Sequence, residues 1–124
     1  MTVQEAIQRA EKTLPGVAAP DGEEDLRWRA IIAVGEFIQT NPDEVWDFVA
    51  RWGGHKDDDL RSAIATCILE HLLEYHFALI FPRVEKAVKQ SRLFADMFCC
   101  CGKFGQSEVP ENAKRFDQFQ RKYR

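Results

Sequence analysis

Two stretches carry residue types that do chemistry. The run MFCCCGKFG, residues 97–105, sets Cys99, Cys100 and Cys101 side by side, while Glu70, His71, Glu74, Tyr75 and His76 crowd into EHLLEYH. Thiolates hold zinc or switch with redox state, and carboxylates with imidazoles hold iron or zinc. Spacing argues against both uses. Successive helical residues diverge by about 100°, so three adjacent thiols cannot converge on one tetrahedral ion, and a vicinal disulfide is strained. Glu70 and Glu74 share a helical face but His71 does not, and neither Glu-x-x-His nor His-Glu-x-x-His occurs. His55, between Gly54 and Lys56 in a turn, is alone, and the chain has no Gly-rich phosphate loop or Gly-x-Ser-x-Gly elbow. No catalytic residue, metal or cofactor is expected.

The elements that would position these residues are helices. Val3, Ala6, Ile7 and Ala10 recur at helical spacing over residues 2–13, and Pro15–Gly16 open a loop, PGVAAPDG. A second helix is expected over 23–39, with Leu26, Ala30, Val34 and Phe37 inward and Ile31 and Ile38 beside them. Asn41–Pro42 should cap a third, which carries Val45, Phe48, Val49 and Trp52 inward and ends at Gly53–Gly54 through a left-handed residue. HKDDD opens a fourth, ending near Tyr75, with Leu60, Ile64, Cys67, Ile68 and Leu72 inward. A fifth spans 77–90 with Leu79, Ile80, Val84, Ala87 and Val88, and Pro82 falls in its opening turn or kinks it. A sixth spans 92–104, and the segment from Pro110 spaces Phe116, Phe119 and Tyr123 on one side of a seventh.

Beneath these helices lies a repeat. DLRWRAIIAVGEF from residue 25 matches DLRSAIATCILEH from residue 59, an offset of 34; a fainter third copy sets Met97 on Ile64, Cys100 on Cys67 and Cys101 on Ile68. By that alignment the cysteines are small hydrophobes inside a packed helix, a redox-sensitive surface thiol being the alternative. Asp25, Leu26, Arg27 and Ala33, then Asp59, Leu60, Arg61 and Ala65, form an acidic cap, Leu-Arg and an Ala-rich helix, an arrangement that resembles HEAT-like helical repeats. The resemblance implies an all-α fold: a short right-handed superhelix of about three antiparallel helix pairs over residues 1–105, with residues 106–124 as a basic capping helix of the same domain. It further implies an extended face that holds a partner, usually a protein, though some relatives grip a DNA duplex.

Charge sharpens the choice of partner. Residues 1–82 carry 7 Lys+Arg against 15 Asp+Glu, a net of −8, and residues 83–124 carry 10 against 5, a net of +5. The caps Glu23, Glu24, Asp25 and Asp57, Asp58, Asp59 begin equivalent helices, so stacking would place them on one edge as an acidic ridge that attracts basic partners and repels nucleic acid. Trp28, Arg29 and Trp46 add the composition of binding hot spots. The expected function is a non-catalytic protein-interaction module, an adaptor or an immunity protein holding a basic partner. The alternative is nucleic-acid binding through Lys114, Arg115, Arg121 and Lys122. FALIF, an apolar run that no other exceeds, is too short to span a bilayer, and the polar amino terminus and unspaced cysteines point to a cytoplasmic protein.

Overall fold

A computed structural model describes residues 1–16, 19–20 and 22–124; Val17, Ala18 and Asp21 of the expected loop lie outside the described residues. Helix α1 (Val3–Thr13) starts from a reciprocal cap, in which the Thr2 hydroxyl accepts the Glu5 N–H and the Glu5 carboxylate accepts the Thr2 N–H. It buries Val3, Ala6, Ile7 and Ala10, and Leu14 continues the stripe. Helix α2 (Leu26–Gly35) is shorter than expected at both ends, because Asp25 caps it and residues 36–40 are turns.

Helix α3 (Pro42–Trp52) begins at proline as expected, but Asn41 makes no cap: its side chain accepts the Thr40 hydroxyl instead. Gly53 ends it with φ −65°, so positive φ is not the reason for glycine there. Space is: a Cβ on Gly53 would stand 2.8 Å from both Met97 Cε and Phe94 Cε2.

Helix α4 (Asp58–Ile64), capped by the Asp57 carboxylate, passes through one π-helical turn, Ala65–Leu69, into α5 (Glu70–Gln90). His76 leaves helical geometry inside α5 (φ −140°, ψ 45°), so the expected stop near Tyr75 and restart at Phe77 both hold. Pro82 sits within the restarted segment and is not the break. The broken backbone is satisfied from outside: Gln106 Oε1 accepts the Phe77 N–H at 2.9 Å, and its Nε2 donates to the Tyr75 carbonyl at 2.7 Å. After the break, Phe77, Ile80, Phe81, Val84 and Val88 face inward, whereas Leu79 is exposed, against expectation.

Helix α6 (Arg92–Phe98), capped by the Ser91 hydroxyl, stops well short of residue 104. A 3₁₀ turn, Gly105–Glu108, leads to α7 (Pro110–Tyr123), whose Phe116 packs 5.0 Å from Phe98 and whose Phe119 meets Phe81 edge-on. These rings extend the core past α6 and close that end of it.

The packing is in two layers. On one, α2 and the segment 58–75 run side by side and parallel: Arg27 meets Asp57 near their starts, Gly35 meets Cys67 further on, and the Ile38 carbonyl meets His76 at their ends. Helix α6 lies next, the Cys101 thiol reaching the Ala65 carbonyl. On the other layer, α3 bridges α1 and the second half of α5 through Arg51–Glu11 and Arg83–Asp43. The fold is all-α, and no strand occurs among the described residues. The helical stretch Asp58–Gln90 is long and apolar enough to cross a membrane by length and composition; it is also the central core element, more than half buried by its neighbours.

Burial shifts the expected letter match between α2 and residues 59–71 by one residue. Leu26, aligned by letter with the buried Leu60, is 60% exposed, and Arg27 takes the inward place. The buried Arg27, Ala30 and Ile31 correspond to Leu60, Ala63 and Ile64 at an offset of 33, while Val34 and Ile38 correspond to Ile68 and Leu72 at 34. The π turn between Ile64 and Ile68 supplies the extra residue.

Candidate partner-binding face

An arginine on an inward helical position needs acceptors, and the two caps provide them. The Arg27 guanidinium, with its side chain 3% exposed, contacts Asp57 Oδ2 at 2.9 Å, Asp25 Oδ2 at 3.3 Å and Asp59 Oδ2 at 3.3 Å. Burial would lower the Arg27 pKa, but the hydrogen bonds that its guanidinium donates to Asp57 and Asp25 outweigh this and raise it. Burial likewise opposes ionisation of Asp25, yet the bonds from Arg27 hold its carboxyl below the usual range; for Asp57 the Arg27 bond is itself the largest influence, in the same direction. Trp28 Nε1 donates to Asp59 at 2.9 Å, adding a second tie between α2 and α4.

The expected ridge is therefore one edge, but a partly neutralised one. Asp25, Asp57 and Asp59 are shared by Arg27. Glu24 pairs with Arg29 at 3.4 Å, both side chains mostly in water, and Asp58 pairs with Arg61. Glu23 is exposed. Sequence reasoning missed Arg27, and the signal was present: an arginine two residues after one acidic cap, with three aspartates, Asp57 to Asp59, at the other. Trp28 is half-buried beside Asp59. Trp46 is a correction, since at 8% exposure, edge-on to Phe94 at 6.0 Å, its ring packs α3 against α6 and offers no exposed anchor.

The Glu70–His76 cluster does not converge. Glu70 is buried with its carboxyl raised by desolvation, lying toward Gly102, and is not a solvated face residue. His71 pairs with Glu74 at 2.7 Å and stacks on Phe104, while His76 meets the Ile38 carbonyl at 3.0 Å. Among the described residues, no three His, Cys, Asp or Glu side chains are grouped to hold a metal ion.

The cysteine run also separates. It lies beyond the end of α6, so the core reading holds for Cys101 alone, which burial pushes well above the usual thiol range; Cys99 is half-buried and Cys100 exposed, and all are free thiols. Of the C-terminal cations, Arg115 pairs with Glu85 and lies 4.9 Å over the Phe81 ring, and Lys122 lies over Tyr123. Lys114 and Arg121 are exposed.

What the parallel helices create is a groove. Gly35 lies against the π turn so closely that a Cβ would stand 2.9 Å from the Cys67 carbonyl oxygen, and on either side the surface opens into a cleft of about 490 Å³ lined by Glu36, Gln39, Thr40, Cys67, His71 and Tyr75, among others. Ile32 is 51% exposed on the α2 face that also carries Trp28 and Gly35; Tyr75 is 43% exposed, and Phe104, stacked on His71, is 42% exposed. Comparison of the chain with models of known protein families, with curated proteins and with solved structures finds no match.

Proposed function

We propose that the protein is a non-catalytic interaction module, a HEAT-like stack of helix pairs capped by α7, that holds a basic protein partner on the layer formed by α2 and residues 58–75. One observation carries this reading. Tyr75 and Glu36 line the groove, Phe104 stacks on its His71 wall, and Ile32 stands exposed one turn before Gly35 on α2, on a layer whose rim carries Glu24, Asp58 and Asp59. Aromatic anchors inside a polar rim are the usual anatomy of a protein interface. The parallel packing of α2 on residues 58–75 is what a repeat stack requires, since one helix pair cannot bury its apolar face alone. An adaptor or an immunity protein, working in the cytoplasm, fits such a face.

The nucleic-acid alternative draws less support. Phe116 is buried and Phe119 and Tyr123 are half-buried against the core, which leaves little ring surface for base stacking, and Arg115 is engaged by Glu85.

The test is affinity capture from the cells that make the protein, on immobilised wild type and on an Ile32→Asp variant with unchanged circular dichroism. One basic protein retained at stoichiometric level by the first and lost by the second is the expected result. Equal retention by both, or recovery of nucleic acid alone, would refute the proposal.

A further inference from the structure

We propose that the groove between α2 and residues 58–75 receives a single cationic side chain, lysine or arginine, projecting from the partner; this rests on the reading of a basic protein partner. The groove's lining decides the chemistry. Its one unpaired full charge is the Glu36 carboxylate, which meets no cation among the described residues, and no lysine or arginine lines the cleft. Gln39 and Thr40 contribute amide and hydroxyl oxygens, and Tyr75 contributes a ring with 43% of its residue surface in water. A carboxylate and an aromatic face in one cleft form a site for a cation on an aliphatic stem, whose methylenes find apolar surface while its head finds the ring and the carboxylate. Anions are disfavoured there by the Glu36 carboxylate.

The shape of the cleft depends on two backbone features. The π turn adds one residue between Ile64 and Ile68, with the Glu70 N–H reaching back to the Ala65 carbonyl. That extra residue brings Cys67 up against Gly35, where the lack of a Cβ lets the two backbones touch. Such single π turns recur at functional sites because they cost helical hydrogen bonding. Here the turn sets the floor of the cleft, and Glu36 and Tyr75 stand at its sides. Neither residue supports the core, so both are open to substitution.

The experiment is a titration of the ¹⁵N-labelled chain, followed by amide chemical shifts, with the capped peptides acetyl-Gly-Arg-Gly-amide and acetyl-Gly-Glu-Gly-amide. The arginine peptide is expected to give saturable shifts at Glu36, Gln39, Thr40, Cys67 and Tyr75, and the glutamate peptide none. Tyr75→Ala should weaken binding by roughly two- to fivefold, the worth of an exposed cation–aromatic contact. Glu36→Gln should weaken it too, and Gln39→Lys, which places a resident cation in the cleft, should abolish it. Saturable shifts confined to Glu23–Asp25 and Asp57–Asp59 would overturn the groove while leaving a basic partner in place. No saturable shift anywhere would overturn both. Shifts at the groove that grow with protein concentration alone would assign it to a second copy of this chain and overturn the foreign partner.

Discussion

Arg27 Nη1 stands 2.9 Å from Asp57 Oδ2, and the same guanidinium contacts Asp25 and Asp59, so one buried cation ties the first turn of α2 to the first turn of α4. Stranding a fully buried charge costs about 3–5 kcal/mol, but the carboxylates left here are part-exposed, Asp57 by 37% and Asp59 by 49%, which brings the cost down to about 1–3 kcal/mol. Arg27→Met should therefore lower urea-unfolding stability at pH 7 by an amount of that order. The pH dependence has a definite sign. Asp25 and Asp57 are lowered in the folded state, so their contribution is full above the unfolded carboxylate pKa, about 3.9, and is lost as pH falls through the lowered folded values. In Arg27→Met the facing carboxylates repel, and protonation relieves them. The gap between the two proteins should narrow steadily as pH falls below about 5.

The break at His76 makes a second prediction. Gln106→Ala removes partners from both the Phe77 N–H and the Tyr75 carbonyl, and an unsatisfied backbone group costs about 1–3 kcal/mol. The Phe77 amide should exchange with deuterium much faster while the amides of α1 do not change. Gly105→Ala should be at least as damaging: φ there is +50°, and a Cβ would lie 2.7 Å from Glu74 Cγ and 2.9 Å from the Glu74 carbonyl oxygen. Unfolding midpoints of the two variants check this order.

Glu70 titrates in the opposite sense from the Arg27 cage. Its carboxyl is raised by burial, with His71 and the Gly102 backbone opposing, so the folded chain binds its proton more tightly than the unfolded chain. Stability is unpenalised below the unfolded value and falls as pH rises towards the raised folded one. Glu70→Gln should accordingly raise the melting temperature at pH 7 and leave it unchanged near pH 4. Thermal melts at the two pH values measure it.

Thiol reactivity should separate three neighbours. Cys100 is exposed, Cys99 half-buried with its thiol raised by desolvation, and Cys101 fully enclosed beside the Ala65 carbonyl. Iodoacetamide labelling of the native chain, read by peptide mass, should modify Cys100 first and Cys101 only after unfolding.

Most inward faces were legible because period acts locally: Val45, Phe48 and Val49 of α3 are all fully buried as their spacing implies. Leu26 and Leu79 failed for one shared reason. Each sits one residue from the true inward stripe, and only the neighbouring element, the aspartate cage in one case and the aromatic cluster of Phe77, Phe81 and Phe98 in the other, decides which side turns in. The letter match of Asp-Leu-Arg misled by one position because a π turn leaves no mark in residue type. Of the candidate face, the acidic edge was readable from its spacing. The groove was not, since it depends on Gly35 meeting the Cys67 carbonyl across the layer.

The proposed partner would sit on the layer of α2 and residues 58–75. A photo-cross-linking amino acid placed at Ile32, and in a separate protein at the exposed Lys86 on the other layer, tests it most directly in the cells that make the protein. One dominant adduct to a basic protein from position 32, and none from position 86, is the expected result. An adduct from position 86 with none from position 32 would contradict it.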